Sequence, residues 1–119
     1  MLNKVIFAID NNTNTHAVAE FLRYVDTNRA LGYIQGGLVH CIGYWGDILE
    51  PSYMMDERDY RKHIEPMGFT EKQACILHVP ADTRKPCSLE YQDGSTETVG
   101  PMREAAKICH NIRSLTAYT

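Results

Sequence analysis

An α+β fold built on an antiparallel sheet is predicted for this 119-residue chain by three observations. Short β-branched and apolar runs recur along it, bounded by Gly, Pro and Asn/Asp turn residues. Between them, one segment carries apolar residues at helical spacing, and a second opens on carboxylates and closes on Pro and Gly. Their order reads β-α-β-β-α-β with a further hairpin, which is the ferredoxin-like arrangement in a single domain covering residues 1–119.

The first strand is expected over residues 4–9, ended by Asp10-Asn11-Asn12. Asn14 or Thr15 then offers an N-cap, and Val18, Phe21, Leu22 and Val25 follow at i, i+3, i+4 and i+7, giving an amphipathic helix that ends near Gly32. A second strand is expected over 33–45, broken or bulged at Gly36-Gly37 and stopped at Gly46-Asp47. A third, over 49–55, carries Glu50, Ser52 and Met54 on one face and Leu49, Tyr53 and Met55 on the other.

Asp56, with Asp59 three residues on, suits a helix N-terminus, and that helix is expected over 57–65, before Pro66 and Gly68. Its charge-rich run 56–63 is mixed in sign and reads as a solvated helix face. Strand four is expected over 74–79, stopped by Pro80, and strand five over 88–92. Asp93-Gly94 signals a two-residue hairpin leading to Glu97-Thr98-Val99. Residues 102–112 suit a C-terminal helix with Ala105, Ile108 and Ile112 inward. Two helices on one face of a small sheet leave an apolar second face, so a homo-oligomer covering it is expected.

Composition narrows the function classes. Lys plus Arg is 12 and Asp plus Glu is 15, a formal net charge of −3, so no basic stripe is available to neutralise a phosphate backbone. No apolar run approaches the roughly 20 residues of a membrane span, and Met1-Leu2-Asn3-Lys4 lacks a signal-peptide layout. A soluble protein of the cytoplasm, without nucleic-acid or membrane partners, is the expectation. The four cysteines, Cys41, Cys75, Cys87 and Cys109, form no CxxC half-site and read as reduced, buried hydrophobes. The five histidines are equally scattered, so neither a metal nor a cofactor is expected.

Three places carry candidate chemistry. In Gly43-Tyr44-Trp45-Gly46-Asp47-Ile48-Leu49-Glu50-Pro51-Ser52, two aromatics face a carboxylate across a turn. Aromatics stack on a base or cover a sulfonium, and a carboxylate accepts both hydroxyls of a ribose. The plain alternative is an aromatic edge cluster with a solvated Glu. Gln73 stands before the apolar Ala74-Cys75-Ile76-Leu77, at a strand entrance where a lone Gln is usually a loop residue, and Gly100-Pro101-Met102-Arg103-Glu104 follows a hairpin, where it reads as a helix start. No Ser-His-Asp or Cys-His arrangement, Walker loop or dinucleotide fingerprint is present.

At these three places, spanning residues 43–104, the chain resembles the phage-encoded S-adenosylmethionine lyases, formerly called S-adenosylmethionine hydrolases. The pieces Gly43-Tyr44-Trp45 with Glu50-Pro51-Ser52, Gln73-Ala74-Cys75-Ile76-Leu77 and Gly100-Pro101-Met102-Arg103-Glu104 come in that family's order. The resemblance implies a homotrimer of ferredoxin-like subunits in a bacterial cytoplasm, binding S-adenosylmethionine between subunits. It implies cleavage to 5′-methylthioadenosine and homoserine lactone, which depletes host S-adenosylmethionine and blunts restriction. The family's key carboxylate falls on Glu50, its glutamine on Gln73, and its aromatic on Trp45, or on Tyr44 with a one-residue shift. Two departures are a Trp where Tyr is expected and a shorter segment between the aromatic and Glu50. A non-enzymatic oligomer that binds or sequesters an adenosyl ligand is the alternative reading.

Overall fold

The structure, a computed structural model, describes residues 2–9, 15–45, 48–73, 75–82 and 84–100, with backbone alone for residues 15, 42–45 and 48–50. Asp10-Asn11-Asn12, Gly46-Asp47, Pro101-Met102-Arg103-Glu104, the helix expected over 102–112 and Cys109 lie outside the described residues.

Among the described residues, six antiparallel strands and two helical segments give the α+β class expected from the sequence. The strands are β1 (Lys4–Phe7), β2 (Val39–Trp45), β3 (Ile48–Asp56), β4 (Cys75–Val79), β5 (Cys87–Tyr91) and β6 (Thr96–Gly100). They line up in the order β2-β3-β1-β4-β5-β6. The first four thus interleave two split βαβ units, with β1 between β3 and β4 and antiparallel to both. The β5–β6 hairpin extends the sheet beyond β4.

Helix α1 (Thr15–Ala30) lays the expected stripe on the sheet, with Phe21 and Val25 buried and Val18 and Leu22 packed beside them. It ends in a Schellman turn: Gly32, at φ 81°, frees the chain to reverse while Tyr33 N donates to Asn28 O at 2.8 Å. The core between α1, the helical segment 57–67 and the sheet is aromatic. Phe21 meets Phe7 edge-on at 5.8 Å, Tyr53 at 5.0 Å and Phe69 at 5.5 Å between ring centroids.

The second helical segment, α2 (57–67), departs from the regular α-helix expected over 57–65. One α-turn (Glu57–Asp59) passes into a π-helical stretch (Tyr60–Ile64) and a 3₁₀ turn (Glu65–Met67), stopped at Gly68 with φ 77°. This winding turns Tyr60 and Ile64 into the core while Arg61 spans outward to β5.

Three further expectations change. Strand β2 starts at Val39 rather than 33, because the backbone at Gly36 is drawn to the side chain of Asp59, Gly36 N donating at 3.1 Å. Asp56 is not a side-chain cap for α2; it forms an ion pair with Lys4 of β1. The β5–β6 loop has three residues rather than two: Tyr91 N donates to Ser95 O and Gly94 N to Tyr91 O, both at 2.9 Å, with Gly94 left-handed at φ 86°.

The sheet's second face holds its own apolar cluster, in which Ile6, Leu77, Cys87 and Leu89 are 0–3% exposed within the single chain. That face is therefore not bare, and an oligomer has to be argued from the site instead. No helix among the described residues is long and apolar enough to cross a membrane.

Candidate functional site

Strand pairing places the sequence-predicted residues. Tyr44 and Trp45 lie at the end of β2, opposite Leu49 and Ile48, and Glu50 on β3 is opposite Gly43. Strand β1 pairs Phe7 with Tyr53 on one side and Ile6 with Leu77 on the other. Past the stretch that pairs with β1, Glu50 stands three residues before Tyr53 on β3, and Gln73 two residues before Cys75, where β4 begins. Glu50, Gln73 and the Tyr44-Trp45 pair thus come to one end of the sheet, where β1 finishes. Gly100 does not join them: it pairs with Cys87, at the opposite end of the sheet.

Gln73 is half-buried in the turn that enters β4. The turn is closed by Gln73 N donating to Thr70 O at 3.1 Å. From the β5–β6 loop, Gln92 Nε2 donates to Thr70 O at 3.1 Å and to Gln73 O at 2.6 Å. On the other side, Tyr60 Oη and Thr70 Oγ1 share a buried hydrogen bond of 2.7 Å.

No family model, curated protein or solved structure matches the chain. Its chemistry is therefore argued from its own residues.

Beside Gln73, on the helix side of the sheet, a cavity of about 580 Å³ opens between α2 and β4–β5. Tyr60, Arg61, Glu65, Thr70, Glu90 and Gln92 are among its walls. Its volume suits a small ligand, but its charged groups mostly satisfy one another. Arg61 holds Glu90 with two bonds, Nη2 to Oε1 at 2.7 Å and Nη1 to Oε2 at 2.9 Å, and also pairs with Glu65. His78 stands between two carboxylates, with Glu57 Oε1 3.3 Å from Nδ1 and Glu90 Oε1 3.3 Å from Nε2.

Sequence reasoning missed this network because Arg61 and Glu90 stand 29 residues apart and meet only through the β4–β5 pairing. A lone Arg in a mixed-charge helix carries no signal of its partner.

The hydrogen bonds from Arg61 hold the Glu90 carboxyl below its ordinary value of 4.5. A carboxyl depressed in the folded state stabilises the fold at pH values above 4.5, and that contribution fades as the pH falls through the depressed value. Glu90→Gln is expected to cost about 1 kcal/mol at pH 7, since the pair is partly solvated. The gap in urea midpoints between wild type and variant should narrow as the pH falls below 4.5. A gap independent of pH would show that charge is not what holds β5 to α2.

The run 56–63 is not simply the solvated face expected for it. Asp56 and Asp59 are 5% and 4% exposed and point to one spot, beneath the backbone of Gly36. The cysteines are buried where described: Cys41, Cys75 and Cys87 lie inside the fold, and burial pushes the Cys41 thiol up to about 11, which keeps it protonated and unreactive. Among the described residues, no group of three or more His, Cys, Asp or Glu is placed to hold a metal ion.

Proposed function

We propose that the protein is an S-adenosylmethionine lyase acting through a site at the end of the sheet where β1 finishes. What supports this reading is the pairing that brings Glu50, Tyr44-Trp45 and Gln73 to that end from separate parts of the chain. Glu50 accepts hydrogen bonds from the ribose 2′- and 3′-hydroxyls. Trp45 occupies strand positions of the same parity as Gly43, which lies opposite Glu50, whereas Tyr44 has the other parity. Trp45 is therefore the better wall for a ligand held by Glu50. Gln73 holds the polar end of the substrate.

The reaction needs no acid, base or metal. The substrate's carboxylate oxygen forms a bond to its own Cγ, and the Cγ–S bond breaks with its electron pair going to the sulfonium sulfur. The products are neutral 5′-methylthioadenosine and homoserine lactone, with no proton transferred. Anion and sulfonium neutralise each other as the transition state forms, so a site of low polarity favours it. Folding the methionyl chain back on itself is the protein's main task, and orientation of this kind is worth up to about 7–11 kcal/mol.

The end of a sheet in a chain this small offers an adenosyl ligand little enclosure, so a neighbouring subunit supplies the remaining walls, in a homotrimer with sites between subunits. Depletion of S-adenosylmethionine in a bacterial cytoplasm, with the loss of methyl-dependent restriction, is the biological consequence.

Incubation with S-adenosylmethionine, followed by chromatography and mass spectrometry, is expected to yield methylthioadenosine and homoserine lactone in equal amounts. Ligand bound but returned intact would replace the lyase with an adenosyl-binding protein.

A further inference from the structure

Gln92 sits first in the three-residue β5–β6 loop, an exposed place where a long amide has no structural need to be ordered. Its Nε2 nevertheless spans the whole turn that enters β4, donating to the first carbonyl, Thr70 O, and to the last, Gln73 O. Fixing a rotamer-rich side chain costs entropy, which the two bonds offset. The Gln73 carbonyl belongs to the peptide plane that follows Gln73. Holding it sets the backbone direction at Gln73, while Thr70 is held independently by Tyr60 from α2.

We infer that Gln92 is a positioning residue: it orients Gln73 for the substrate without touching the substrate itself. The inference rests on the lyase reading and adds to it a long-range element, since the β5–β6 hairpin lies outside the four strands that make the site. It also explains why the loop has a glutamine where the turn itself makes no demand for one.

Two substitutions test it. Gln92→Glu keeps the shape but presents an acceptor to two carbonyl oxygens, so both bonds are lost. Gln92→Lys restores a donor long enough to reach them. With Gln92→Glu, KM for S-adenosylmethionine is expected to rise about five- to tenfold, the loss of about one hydrogen bond's net worth, with kcat within about twofold. Amide exchange in the segment 70–75, measured without substrate, should quicken in the same variant. Gln92→Lys should return both readouts towards wild type.

An unmoved KM or unmoved exchange in Gln92→Glu overturns the inference, as does a Gln92→Lys protein no better than Gln92→Glu. Absence of product from the wild type overturns the lyase reading itself and this role with it. That failure is distinct from an active wild type whose KM ignores residue 92.

Discussion

Glu50→Gln is expected to lower kcat/KM for S-adenosylmethionine by about a hundredfold or more. A carboxylate on a ribose diol makes two charge-assisted hydrogen bonds, each worth about 1.5–3 kcal/mol. The amide retains one good acceptor and turns the other contact into a donor facing a hydroxyl, so most of that energy is lost while the size of the side chain is unchanged. Steady-state rates of methylthioadenosine release decide the matter. If the ribose is only an anchor, KM rises at constant kcat; if holding it also folds the methionyl chain for attack, kcat falls as well. Full activity in Glu50→Gln would remove Glu50 from the site.

Gly36→Ala carries the largest expected cost to the fold. A Cβ there would lie 2.4 Å from Asp56 Oδ2, 2.8 Å from Asp56 Cγ and 2.9 Å from Asp59 Oδ2. Side-chain ends often move aside, but these two are held. Asp56 is paired to Lys4 of β1, and Asp59 accepts the hydrogen bond of Gly36 N itself. Both carboxylates are buried, so neither can retreat into water. Overpacking of about 1–3 kcal/mol adds to a strained or broken bond to a charged acceptor, for a loss of about 2–5 kcal/mol. Thermal unfolding should shift down by about 10 °C or more. A shift of only a degree or two would mean that the aspartates have room to give way.

What could be read from the residues, and what could not, divides along range. The strands whose signal is local, β1, β3, β4 and β5, lie within a residue or two of their expected positions, and the α1 stripe of Val18, Phe21, Leu22 and Val25 is the one the spacing indicated. The Gly36-Gly37 pair looked like a bulge, because a glycine that makes room for another segment's carboxylates has the same sequence signature as one that bends a strand. The π-helical winding of α2 was hidden likewise: it is set by how Tyr60 and Ile64 meet the sheet, not by the propensities of the segment.

The candidate site follows the same division. Tyr44, Trp45 and Glu50 are near one another in sequence, and a hairpin was enough to suggest their proximity. Gln73 reaches the same end only through β1, and Gln92 only through one further strand pairing, β4 with β5. Such contacts depend on registers that no short motif records.

The link between Gly36 and Asp59 bears on more than stability. Only Gly37 and Leu38 separate it from Val39, where β2 begins, so the edge strand enters the sheet with little slack: about 10 Å of chain at full stretch. The anchor therefore sets the phase of β2. A strand sliding by one residue against β3 would bring Tyr44 to the parity that Trp45 now holds. A glycine ahead of the strand thus decides which residue of β2 stands opposite Glu50.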